Sequence, residues 1–236
     1  MATYELIISD VTRYGTLYCV AGWDLGDGGM VRPEPPGANI VAEASRFWDA
    51  SHAGPGRLFS VGNVVRFEAS APPQAFPYPH ATEDRIFVSG TKSVLVKQVT
   101  IEQIRKSVAA GVSPSVENAF GGKLIQKSNG KAYVAAGEKV CSLDAIEIVP
   151  EQISFYAEVT QAGKRRLRAV IEEDGIEYDL SVPADAARTR FLAGGVAALE
   201  ADAKASDLIH VRLGLCRPFA AMPDACYAQV NGLYFL

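Results

Sequence analysis

Strands give the strongest local signals along this chain. Residues 5–10 and 16–23 are short runs rich in β-branched and aromatic side chains, and Tyr14-Gly15 between them suits a tight turn. The glycine-dense run from Asp24 to Gly29 is a second turn. Met30-Val31-Arg32 then opens a third strand, which Pro33 and Pro35-Pro36 close. An antiparallel meander over residues 5–33 is therefore predicted. Further strands are expected over 61–68 and 94–99, on either side of a proline-rich extended loop at 71–80. Two short helices interrupt the strands. One spans 40–50 and turns Phe47 of Arg46-Phe47-Trp48 inward. The other spans 100–108, where Ile101, Ile104 and Val108 share a face and Thr100 and Gln103 stand at capping-box spacing. Residues 113–131 are polar and glycine-rich, which predicts a long loop.

The second half repeats the style. Strands are predicted over 140–149, 153–160, 167–171 and 177–182, with turns at Gly163 and at Glu172-Glu173-Asp174-Gly175. Lys164-Arg165-Arg166-Leu167-Arg168 either grips phosphates or pairs with the acidic run 172–174 across the hairpin. An alanine-rich helix over 184–205 is split at Gly194-Gly195. Strands over 208–215 and 226–230 close the block, with Asn231-Gly232 as a turn. This pattern predicts a mostly β chain of two small barrels or sandwiches with a few short helices, divided into residues 1–136 and 137–236. Val31-Arg32-Pro33 and Cys216-Arg217-Pro218 echo one another, as a duplication would leave them.

Length and charge narrow the classes. The 236 residues, 48% hydrophobic and 21% charged, form one large domain or two small ones and exclude disorder. Lys and Arg total 23 against 27 Asp and Glu, so a general duplex-DNA binder, which needs a basic excess, is disfavoured. Residues 92–131 nevertheless carry seven basic side chains against two acidic, so a local basic surface coexists with an acidic total. The N-terminus has no basic region before its short apolar run, and no apolar stretch approaches the roughly 20 residues of a membrane span. A cytoplasmic protein with no membrane partner is expected. Cys19, Cys141, Cys216 and Cys226 show no C-x-x-C spacing and are expected as small buried hydrophobes. No metal or cofactor is expected.

Two groups carry candidate chemistry. Pro77-Tyr78-Pro79-His80-Ala81-Thr82-Glu83-Asp84 gathers an imidazole and two carboxylates in a proline-stiffened loop. Such a set can hold a divalent metal, serve as a general base, or pin the loop through backbone hydrogen bonds. Arg13-Tyr14, Tyr18, Trp23 and Arg32 lie within the meander, where aromatics either stack bases beside cations or fill the core, with Tyr18 read as core. No nucleophile elbow, phosphate loop, zinc-protease motif or dinucleotide fingerprint occurs, and three histidines are too few for a multi-histidine metal site.

Several of these segments resemble one family. Ile8-Ser9-Asp10-Val11-Thr12-Arg13, Cys19-Val20-Ala21-Gly22-Trp23-Asp24 and Val31-Arg32-Pro33 look like the opening of the bacterial dual OB-containing domain. Pro79-His80 with Thr82-Glu83-Asp84, Gly214-Leu215-Cys216-Arg217-Pro218 and Cys226-Tyr227-Ala228-Gln229-Val230-Asn231-Gly232 match its later segments. The resemblance implies two tandem OB-like barrels with a nucleic-acid role, as a sensing or recruiting module of bacterial and phage conflict systems. The expected function is a non-enzymatic binder of single-stranded nucleic acid or a nucleotide through Arg13, Trp23, Arg32, His80, Glu83, Asp84 and Arg217. The rival readings are a metal-assisted hydrolase built on His80, Glu83 and Asp84, and an adaptor for a protein partner. Homodimerisation is compatible with each, because OB-type sheets leave edges.

Overall fold

The computed structural model describes residues 1–161 and 163–236. The chain divides into two units, Met1–Gly111 and Val112–Leu236. The first is a five-stranded closed barrel. β1 (Ala2–Tyr14), β2 (Leu17–Asp24) and β3 (Gly29–Glu34) form the predicted meander, followed by β4 (Asn63–Ser70) and β5 (Asp84–Phe87). The order is β1-β2-β3-β5-β4, and β4 pairs back onto β1. β3 and β5 run parallel while the other pairs are antiparallel. β1 serves two neighbours: Ala2 to Ile7 pair with β4, and Leu6 to Tyr14 pair with β2. A bulge between Ile8 and Asp10 bends it between these duties. β6 (Val94–Gln98) adds to β4 outside the ring. Leu6, Ile8, Val20, Val31, Val65 and Phe67 fill the interior.

The second unit repeats this order. β9 (Leu143–Ile148), β10 (Ile153–Val159), β11 (Arg165–Glu173), β12 (Ile176–Ser181), β13 (Ile209–Leu215) and β14 (Ala225–Phe235) are ordered β10-β11-β12-β14-β13-β9, with β12 and β14 parallel. β9 and β10 together do the work of β1. Here a turn at Pro150 replaces the bulge: proline has no N–H to give a ladder, and the Val149 N–H goes to the Gln152 side chain at 3.0 Å. Both barrels are therefore OB-type, and the chain is mostly β as expected.

The boundary differs from expectation. Residues 112–136 belong to the second unit, because β7 (Ile125–Gln126) and β8 (Ala132–Ala135) form a hairpin whose β8 pairs with β14. The segment read as a loop is therefore partly strand. The Ile-Gln run within it and the Ala-Tyr-Val-Ala run just after it have too few positions for an alternation to show.

Local predictions held where capping or turn chemistry was explicit. α1 (Ile101–Val108) carries the capping box of Thr100 and Gln103. Asp174 and Gly175 both have positive φ, 51° and 80°, as a two-residue hairpin turn demands. α2 (Asp185–Lys204) breaks helical geometry at Gly195. Three predictions are corrected. Residues 40–50 form only a 3-10 turn, Glu43–Arg46. The Asn39 side chain accepts the Val41 and Ala42 N–H groups, and Trp48 forms a β-bridge with Tyr18. Trp48, not Phe47, is the buried aromatic. The basic and acidic runs 165–168 and 172–173 lie on one strand, β11, so they cannot pair across a hairpin. Finally, Asn231-Gly232 is strand rather than turn. Gly232 pairs with Arg212, and the Asn231 amide lies over Gly214, where a Cβ would meet it at 2.0 Å. These glycines make room for side chains rather than reversing the chain.

Candidate nucleic-acid interface

In an OB barrel, ligands meet the outer face of the second and third strands and the loops joining strands one to two and four to five. In the first barrel these are β2, β3, the turn at Gly15-Thr16 and residues 71–83. Val31 points to the core, so Arg32 leaves β3 on the outer side. It is nevertheless only 3% exposed. Its Nη1 donates to Asp84 Oδ1 at 2.8 Å, across the parallel β3–β5 pair, and its backbone N–H donates to Glu83 O at 2.9 Å. Arg46 donates to the other oxygen of Asp84 and to Glu34, the latter at 2.9 and 3.0 Å. Phe76, from the β4–β5 loop, packs its ring 4.2 Å from the Arg46 guanidinium.

Two guanidinium groups and two carboxylates thus neutralise one another under a roof made by residues 35–62 and 71–83. Burial acts most strongly on Arg32 and opposes its charge, but Asp84, Cys19 and Glu83 together raise the guanidinium pKa above its ordinary value. His80 and Glu83 are also buried, at 1% and 3%. Sequence reasoning placed Arg32 among the meander residues and His80, Glu83 and Asp84 in the loop motif; the structure joins Arg32 to Asp84 and to the Glu83 carbonyl. It places them inside, where a phosphate reaching Arg32 must displace Asp84, and where Asp84 already holds two cations. Among the described residues no group of three or more metal-ligating side chains forms a site. Arg13 sits apart, at the β1–β2 turn, donating to the Tyr18 hydroxyl at 3.2 Å and lying 5.5 Å from that ring. Trp23 is half-buried against Gly111, where an added Cβ would meet its ring at 2.9 Å.

The second barrel presents the same face differently. Phe155, Leu167, Leu180 and Ala228 point to the core, so alternation turns Tyr156, Arg168, Ser181 and Gln229 outward. Strand register places these four directly in line across β10, β11, β12 and β14. Asp179, also outward, accepts from the Tyr156 hydroxyl at 3.0 Å and from Arg168 Nε at 3.0 Å. Burial and then Asp179 raise the Tyr156 phenol pKa, which keeps that hydroxyl a donor. Tyr156 is 38% exposed, Ser181 and Gln229 are half-buried, and Arg168 is buried at 8%.

Cations flank this row. Lys164, Arg165 and Arg166 are exposed where β10 turns into β11; Arg166 is on the side of the row, whereas Arg165 is on the core side, 5.2 Å from the Phe191 ring. Arg217 lies in the β13–β14 loop, topologically the counterpart of the loop that holds His80 in the first barrel. The echo between Val31-Arg32-Pro33 and Cys216-Arg217-Pro218 is therefore not a repeat, because one lies in the third strand and the other follows the fourth. The units themselves are not basic: 10 basic against 11 acidic residues in the first, and 13 against 16 in the second. Any attraction for phosphate must come from local clusters such as 164–166.

Sequence reasoning missed Tyr156, Ser181 and Gln229. Their signal was the alternation itself, since each is the outward neighbour of core residues within a predicted strand. A family model, that of the dual OB-containing domain, matches residues 4–233. No curated protein matches the chain. Among solved structures, a murine DNA-binding protein bound with double-stranded DNA aligns over 100% of this chain and 94% of its own, at 9% identity and a TM-score of 0.36.

Proposed function

We propose that this chain, which belongs to the dual OB-containing domain family, is a non-enzymatic module that binds single-stranded nucleic acid on the outer face of its second barrel. The observation that carries this reading is the row Tyr156, Arg168, Ser181 and Gln229 across four strands, with Lys164 and Arg166 at its margin. An OB face of this kind offers a ring for a base, amide and hydroxyl groups for base edges, and exposed cations for phosphates. Of the residues singled out in the sequence, Arg217 adjoins this face. Arg13 and Trp23 belong to the first barrel and are secondary candidates. Arg32, His80, Glu83 and Asp84 serve as its internal frame. No helix is long and apolar enough to cross a membrane. A sensing or recruiting role in a bacterial conflict system suits a binder without chemistry of its own, and it rests on the family resemblance.

The test is fluorescence anisotropy with labelled single-stranded DNA, single-stranded RNA and duplex, at low and at physiological salt. Saturable single-strand binding that weakens with salt is expected, with a slope that counts phosphate contacts. No single-strand binding at low salt, where attraction is strongest, overturns the reading.

A further inference from the structure

The hairpin β7–β8 lies outside the five-strand barrel plan, yet it places an aromatic side chain beside the proposed face. Tyr133 of β8 pairs directly with Tyr227 of β14. Ala132 and Val134 on β8, and Cys226 and Ala228 on β14, belong to the core, so both tyrosines point outward. Their ring centroids are 5.6 Å apart, and both are half-buried. Tyr227 stands two residues before Gln229 on the same side of β14, so the pair continues the row already described. The backbone supports this continuity: the Asp179 N–H on β12 donates to Gly130 O in the β7–β8 turn at 2.9 Å.

A cation completes the cluster. Lys127 Nζ donates to the Tyr227 hydroxyl and lies 5.0 and 5.2 Å from the centroids of Tyr227 and Tyr133. An ammonium bonded to the hydroxyl yet 5.0 Å from the ring centre sits out at the hydroxyl end, near the ring plane. It does not cover the face of Tyr227. Among the described residues no carboxylate forms an ion pair with Lys127. A second cation is close by. Cys216 N–H donates to Tyr227 O at 2.8 Å, which brings Arg217 next to Tyr227, and the Arg217 charge is felt at the Cys226 thiol.

We infer that Tyr133 and Tyr227 form a stacking platform for one nucleobase of a single strand, with Lys127 holding the adjacent phosphate. The inference rests on the single-strand reading above and adds a base-dependent subsite to it. Core packing explains neither tyrosine, since the barrel interior closes without them. Two rings meeting at one half-buried cation are the elements that sequence-tolerant single-strand sites combine.

The test uses the intact chain and two probes: a labelled oligothymidylate of roughly 15 nucleotides, near the upper span of one OB fold, and an abasic strand of equal length. The wild type is expected to bind the base-bearing strand more tightly. Tyr227→Leu is expected to weaken that strand by roughly 5- to 150-fold, as the loss of one stacked base does, and to leave abasic binding unchanged. Tyr133→Leu repeats the measurement should Tyr227→Leu lower the melting temperature. Tyr227→Phe, which keeps the ring, retains the base preference. Lys127→Gln lowers the salt slope by about 0.7, one phosphate contact on a single strand. Equal binding of both probes by the wild type, or wild-type affinity in both leucine variants, overturns the platform while leaving the single-strand reading intact. No binding of either probe overturns both.

Discussion

In the first barrel the outer side of β3 carries Arg32, and Asp84 meets it with no water between them. In the second the outer sides of β11 and β12 carry Arg168 and Asp179, the same pair of side-chain types, with the Tyr156 ring and the half-buried Ser181 beside them. The carboxylate of Asp84 is fully buried, whereas that of Asp179 keeps 18% of its side-chain surface. The physical consequence is large. A charge sealed from water depends on its partner, and removing that partner leaves an uncompensated buried ion. Asp179 still meets water and so exchanges partners at less cost than Asp84, although its partner Arg168 is only 8% exposed. The chain therefore uses one barrel face as a structural joint and the other as a surface. The difference comes from what crosses over the sheet. Residues 35–62 and the Phe76-bearing loop roof the first face, while in the second barrel the segment between the third and fourth strands is α2, which packs on β10, β11 and β14.

The comparison can be broken most decisively at Asp84. Asp84→Asn is expected to destabilise the protein by about 3–5 kcal/mol, because Arg32 and Arg46 both lose a buried charged partner, and Arg46 keeps Glu34. Urea denaturation measures it, and Arg32→Met is expected to fall in the same range. A loss under about 1 kcal/mol in both would mean that the first face is as solvated as the second. On the second barrel, Lys164→Gln combined with Arg166→Gln should reduce the salt slope of single-strand binding by about 1.4. Stability should stay within about 0.5 kcal/mol of wild type, since both side chains are exposed. An unchanged slope would remove the β10–β11 turn from the interface. Asp179→Asn sharpens the contrast further. Because Arg168 is itself only 8% exposed, this substitution should cost about 1–2 kcal/mol, less than Asp84→Asn, and tighten oligonucleotide binding, by releasing Arg168 and removing a negative charge from the face. A cost like that of Asp84→Asn would make the two carboxylates equivalent. The smallest effect is a local one: Thr100→Ala should cost about 1 kcal/mol by removing the α1 cap, with no change in binding.

Strand content was legible because it depends on local alternation and on turn chemistry such as Asp174-Gly175 and Thr100 with Gln103. The loop set of His80, Glu83 and Asp84 was legible too, as polar residues in one motif, and Arg32 as a polar residue of a second. Their burial was not, because it depends on residues 35–62 and 71–83 folding over β3, and those segments have no periodic pattern to read. Arg46 illustrates the gap: helical spacing suggested an amphipathic turn, whereas its guanidinium joins Glu34 to Asp84 from a 3-10 turn. The row Tyr156, Arg168, Ser181 and Gln229 depends on register between four strands, which no single segment encodes. Lys127 fell within the stretch 113–131 read as loop and Tyr133 just beyond it, where strands of two and four residues show no clear period.

Hydrogen exchange on the intact chain, with and without a saturating single-stranded oligonucleotide, tests the division between the two faces most directly. The account predicts slowed amide exchange in β10, β11 and β12 and around Tyr227, with β2 and β3 unchanged. Slowed exchange in β2, β3 and β5 with no change across β10 to β12 would contradict it.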